Sequence, residues 1–239
     1  MGKIILYADN GCDLDKDVLE ILGVKMFYMP TMIKGHTYID RVDIEPREFY
    51  RLLEEPGVTP TTSQMNIALI QNEFEAVLKE NDSEIIYIAF SGELSGTYQT
   101  ACIARDMVDP ERITVIDSRS ASVGQGLTVI RAAQAIAAGK SKQEVIAEIE
   151  NNISRIQHIF IVGNLEMLKR GGRINPAAAA LGDFLNIKLI LHFVDGRILP
   201  LEKVHGLKKA KKRLLDIIEN RGDDIKNQIK SLMLNLLLD

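Results

Sequence analysis

Strand-like and helix-like segments alternate from the amino terminus to about residue 158, and this order limits the fold more than any single motif does. KIILYA, EIIYIAF and ITVID are short apolar runs ending in polar or glycine-bearing turns, the make-up of buried strands. Helical patterns separate them. NIALIQNEFEAVLKE puts Ile67, Ile70, Phe74 and Leu78 on one face. A long helix runs from the 120s to Ala138 and stops at Gly139, and Ser141 with Glu144 forms a capping box for SKQEVIAEIENNIS. Such a βα alternation implies a mostly parallel sheet covered by helices on both faces.

Smaller elements fill the gaps. Asp13 is placed to cap LDKDVLEIL, which stops at Gly23. VKMFYMPTMI reads as one extended run that Lys34-Gly35 turns into TYIDRV, and EPREFYRLLEE has a proline where a first helical turn accepts one. Pro56-Gly57 ends that helix, and TPTTSQ follows as a polar loop. After the strand HIFIVG the pattern changes. KLILHFV and RILPLEKV flank Asp195-Gly196, a hairpin signal, and the charged helices LKKAKKRLLDIIEN and DDIKNQIKSLMLNLLL complete the chain. The expected architecture is α/β in two domains: a parallel-sheet α/β/α domain over 1–158, and a smaller mixed-sheet α/β domain over 159–239 that is shortened at its carboxyl end.

A net charge of −4 lacks the strongly basic footprint of a nucleic-acid binder. The apolar run IILYA is too short for a signal peptide, and no run approaches the ~20 residues of a membrane span. Two cysteines, Cys12 and Cys102, make no disulfide framework and suit a reducing cytosol, so a cytoplasmic place is expected. His36, His158, His192 and His205 are scattered, and Asp9, Asp13 and Asp117 fit strand ends and caps, so neither a metal nor another cofactor is indicated.

The stretch FSGELSGTYQT, Phe90 to Thr100, leaves a strand and enters a helix through Ser91, Gly92, Ser95, Gly96 and Thr97. It lacks the lysine of a P-loop, and its G-x-x-S-G spacing is not that of a nucleophile elbow. What is left is a turn of hydroxyls and backbone N–H groups at a helix amino terminus, suited to an anion, or a serine that only caps a helix. Asp9-Asn10-Gly11-Cys12-Asp13 and Asp117-Ser118-Arg119-Ser120 follow other strands and share the same edge of a parallel sheet, and Thr61, Thr62 and Ser63 have the reach to join them. In LEMLKRGGRINPA, Arg170 and Arg173 offer forked donors for a carboxylate or phosphate, or else mark a helix stop. Lys203, Lys208, Lys209, Lys211, Lys212 and Arg213 form a basic group, either a solvated face or a surface for an acidic protein.

Taken in order, ADNGCDL, YIDRVDIEPREFY, TPTTSQ, SGELSGTYQTA, VIDSRSASVGQGL, LKRGGRI, LGDFLNIKLIL and DGRILPLEKV resemble the DegV family of bacterial fatty-acid-binding proteins. The resemblance implies a long-chain fatty acid such as palmitate, stearate or oleate held between two domains. It implies no catalysis in this chain: a separate fatty acid kinase would phosphorylate the presented carboxylate. Thr62 and Ser95 would hydrogen-bond that carboxylate, with Thr61, Ser63, Ser91, Gly92, Gly96 and Arg173 completing the ligand site, and Arg170, His205 and Lys208 would face the kinase.

The chain departs from the family pattern at Gly92, where a serine is usual, and at His205, where an arginine is usual. The family's His-Thr-Gly-Pro-Gly loop has no counterpart before Asp239. Two other readings therefore stand beside the carrier: an enzyme acting on a small phosphorylated or carbonyl substrate, and a chain that binds no lipid and serves as an interaction surface.

Overall fold

A computed structural model describes residues 2–40, 42–80, 82–163, 165–175 and 186–222. The second terminal helix pattern, from 223 onward, and the start of LGDFLNIKLIL lie outside the described residues. The chain divides into two compact units, Met1–Ser154 and Arg155–Asp239.

In the first unit β1 (Ile4–Asp9), β2 (Lys25–Phe27), β6 (Glu84–Ala89) and β7 (Ile113–Asp117) form a four-stranded sheet in the order β2-β1-β6-β7. All pairs are parallel, with Tyr7 opposite Tyr87 and Tyr87 opposite Val115. Side chains alternate across such a sheet, so each strand feeds two cores. Tyr7, Ile85, Tyr87, Ala89, Ile113 and Val115 point to one side and pack with Phe27. There α3 (Ile67–Glu80) supplies Ile70, Phe74 and Val77, and α4 (Thr97–Val108) supplies Ala101 and Ala104. Leu6, Ala8, Ile86 and Ile88 point to the other side, against Val129, Ala132 and Ala133 of α5 (Ser122–Ala137) and Val145 and Ile149 of α6 (Lys142–Arg155). The capping box forms as expected: Ser141 N and Oγ both bond Glu144 Oε2, at 2.8 and 2.7 Å.

The run VKMFYMPTMI is two strands, not one. β2 belongs to the parallel sheet, whereas β3 (Pro30–Ile33) lies in a separate antiparallel sheet with β4 (His36–Ile39) and β5 (Thr61–Thr62), ordered β4-β3-β5. The break falls at Met29, whose N–H donates to Asn10 Oδ1 at 2.8 Å. Lys34 and Gly35 both take left-handed φ, 50° and 79°, the backbone a tight hairpin turn requires. Residues 61 and 62 are thus a strand rather than a loop, paired with Met32 and Thr31. Asp13 does not cap α1 (Lys16–Leu22); it sits at φ 52° after a 3-10 turn, and Asp15 precedes the helix instead. α2 (Pro46–Leu53) begins on its proline, as expected.

The second unit has a three-stranded sheet, β8 (Ile159–Ile161), β9 (Ile187–Val194) and β10 (Arg197–His205), ordered β10-β9-β8. Its described strands pair antiparallel, and the hairpin turns on Asp195 and Gly196 at φ 48° and 83°. The short α7 (Glu166–Arg170) follows β8, and α8 (Leu207–Arg221) packs on the sheet through Ala210 and Ile217. Arg213 is drawn out of the basic group by a two-pronged bond to Glu202, both contacts 2.7 Å, while Lys208, Lys209, Lys211 and Lys212 stay exposed.

Candidate functional site

Parallel pairing brings the carboxyl ends of β1, β6 and β7 to one edge of the first unit. Asp9 organises it. Its fully buried carboxylate accepts from Tyr87 OH at 2.8 Å, Phe90 N at 2.7 Å, Gly11 N at 3.1 Å and Gln125 Nε2 at 3.1 Å. One side chain thereby ties two strand ends and α5 together. Burial holds its pKa above the ordinary carboxylate value despite those four donors, and burial with the Asp9 charge raises the Tyr87 hydroxyl well above its usual range.

The turn between β6 and α4 is built on this base. Ser91 is buried, its N–H donates to Ser120 O at 3.0 Å, and its carbonyl accepts from Leu94 N and Ser95 N at 3.0 and 3.1 Å. Its hydroxyl accepts from Glu93 N at 3.4 Å, so Ser91 works within the turn. Gly92 N donates to Asp117 Oδ1 at 3.2 Å, and Arg119 N donates to the same oxygen at 2.8 Å. Side-chain atoms of Tyr98, Asp117 and Gln99 crowd position 92: an added Cβ would fall 2.9 to 3.1 Å from them, so these side chains would have to shift to admit one.

Ser95 is half-buried. Its Oγ accepts from Thr97 N at 3.2 Å and donates to Thr97 Oγ1 at 3.1 Å, with Met29 Sδ at 4.0 Å. The N-cap of α4 is Gly96, so Ser95 bonds the first helical N–H from one residue before the cap instead of capping the helix itself. Thr97 Oγ1 also accepts from Met65 N at 3.4 Å, and Ser63 N donates to Pro30 O at 3.4 Å. These contacts bring the exposed Thr61, Thr62 and Ser63 to the Ser95 turn, joined through Gln64 and Met65. Gly96 lies under Gln64, whose Oε1 occupies the place of a Cβ, 1.9 Å from where one would stand.

The remaining candidates belong to the second unit. Arg170 Nε bonds Glu166 Oε1 at 2.7 Å along α7, and the Arg173 guanidinium bonds the Gly171 carbonyl. His205 ends β10 opposite Ile187, and Lys208 lies in the first turn of α8; both are exposed.

Two polar groups are unsuited to acid–base or nucleophilic work. Burial pushes the Cys12 thiol up to about 12, and burial against Phe193 and Phe160 pushes His158 down to about 4. The crest carboxylates Asp9 and Asp117 are engaged by backbone amides. Half-buried and exposed neutral hydroxyls over such a base are chemically suited to receive an anion. Sequence reasoning missed Gln125 and Gln64. Gln125 had a signal, an amide between two glycines on an otherwise apolar helix face, and Gln64 ends the TPTTSQ motif but was not singled out from it.

A family model described as "Uncharacterised protein, DegV family" matches residues 3–233. A DegV domain-containing protein of Caldanaerobacter subterraneus subsp. tengcongensis is 40% identical over 224 residues, 94% of this chain and 79% of the relative. Among solved structures, a DegV family protein from Thermus thermophilus described for its fatty acid binding is 34% identical with a TM-score of 0.84, over 93% of this chain and 79% of that one. DegV from Bacillus subtilis, described as a fatty acid binding protein, is 30% identical with a TM-score of 0.82, over 92% and 78%. A stearic acid-binding protein from Eubacterium ventriosum is 26% identical with a TM-score of 0.84, over 96% and 78%.

Proposed function

The chain belongs to the DegV family, and from that membership we propose that it binds a long-chain fatty acid as a carrier, its carboxylate held by Thr62 and Ser95. The observation that carries this reading is the likeness to fatty-acid-binding structures at 34% and 30% identity along nearly the whole chain. The junction of β5 and the following Ser63 with the Ser95 turn supports it, because it gathers hydroxyl donors at one sheet edge. Ser91, Gly92 and Gly96 shape the turn. Neutral hydroxyls satisfy a carboxylate without a fixed charge that would hold it against release. The acyl chain supplies the affinity: at ~0.8 kcal/mol per buried methylene, a sixteen-carbon chain grosses on the order of 10 kcal/mol before ordering costs.

In the same reading the chemistry belongs to a separate kinase that phosphorylates the presented carboxylate. The exposed His205 and Lys208, with Arg170, are the candidate docking groups. Replacing Thr62 and Ser95 together by alanine tests the anchor. Oleate retained through gel filtration should fall at least tenfold relative to wild type, since a hydrogen bond to a charged group is worth about 1.5–3 kcal/mol. Undiminished retention would contradict the assignment.

A further inference from the structure

Gly96 has ordinary helical φ and ψ, −69° and −3°, so its backbone does not call for glycine. What keeps a side chain out is Gln64, whose Oε1 and Cδ stand 1.9 and 3.1 Å from the place a Cβ would take. Gln64 is held there from both sides. Ser63 N is bonded to Pro30 O and Met65 N to Thr97 Oγ1, each at 3.4 Å, which fixes the backbone on either side of it. Its amide nevertheless makes no hydrogen bond to protein among the described residues. One end of the amide lies against Gly96 and its Cδ stands 3.1 Å from the Cβ place, so the other end extends away from that glycine. An exposed glutamine seated against Gly96, two residues after Thr62 in the chain and packed on the residue that follows Ser95, is placed as a third neutral donor.

We propose that Gln64 is a ligand-binding residue that donates a hydrogen bond from its side-chain amide to the carboxylate of the fatty acid, and that Gly96 exists to seat it. This assignment rests on the carrier reading above. A neutral amide adds specificity for an acid head group: it bonds a carboxylate more strongly than an alcohol, because the acceptor is charged. Ala at position 96 adopts the same backbone without strain, and the group it meets is the end of a flexible side chain. Gly96→Ala should therefore displace the Gln64 amide and leave the fold intact.

The test compares oleate with oleyl alcohol on delipidated wild type, Gln64→Ala, Gly96→Ala and the double variant. Thermal unfolding of each apo protein checks the fold. Gln64→Ala should weaken oleate binding about tenfold and alter oleyl alcohol binding less than twofold. Gly96→Ala should reproduce that loss, and the double variant should add nothing to it, because both changes remove one interaction. Equal losses for acid and alcohol, additive losses in the double variant, or unchanged oleate binding would overturn the role of Gln64 while leaving the carrier reading in place. Wild type that binds neither lipid would overturn both.

Discussion

His158 stacks on Phe193 with ring centroids 4.5 Å apart and planes 10° from parallel. Burial favours its neutral form and lowers its pKa from 6.5 to about 4. A histidine depressed in this way contributes stability that is whole above pH 6.5 and is lost as pH falls toward 4. The loss should be on the order of 2–3 kcal/mol. His158→Phe keeps a stacking ring and removes the titration, so urea unfolding should show the variant gaining on wild type between those two pH values. Asp9 is the costlier position. Alanine there leaves Tyr87 OH and two backbone N–H groups without their acceptor and the Gln125 amide with only the Ile88 carbonyl, and about 3 kcal/mol or more of unfolding free energy should go with it. Equilibrium denaturation measures that loss directly.

At the level of elements, hairpins and caps respond to local substitutions. Gly196 holds φ 83° in the β9–β10 turn, so Gly196→Ala should cost at least ~1 kcal/mol in a chemical melt. Ser141→Ala removes one side of the α6 capping box and should cost about 1 kcal/mol, restored in part by Ser141→Asn. These devices are also the ones legible in the sequence, because each is written in neighbouring residues. Asp195-Gly196, Lys34-Gly35 and Ser141 with Glu144 need no distant partner. The parallel sheet was legible for a related reason: KIILYA, EIIYIAF and ITVID carry no polar face, so both of theirs had to be covered. Thr61 and Thr62 were hidden because their strand exists only through Thr31 and Met32, some thirty residues upstream. The break inside VKMFYMPTMI was hidden too, since the side chain that makes it, Asn10, comes from another turn. Asp13 was misplaced by two residues because a 3-10 turn intervenes before α1.

Across the whole molecule, family and fold were legible from ordered motifs, and the gathering of hydroxyl-bearing turns at one edge of the first unit's sheet was legible with them. What was not legible was how those turns are held. Gln64 and Gln125 act through space, on a glycine and on an aspartate far away in sequence. Ligand linkage provides a prediction at this scale: oleate at a hundredfold excess over its dissociation constant should raise unfolding free energy by ~2.7 kcal/mol, seen as a higher melting temperature. The most direct measurement is denaturing extraction of the purified protein, as isolated and after incubation with mixed fatty acids, followed by mass spectrometry of what is released. The carrier account predicts close to one long-chain fatty acid per protein molecule. Extracts empty of fatty acid in both cases would contradict it.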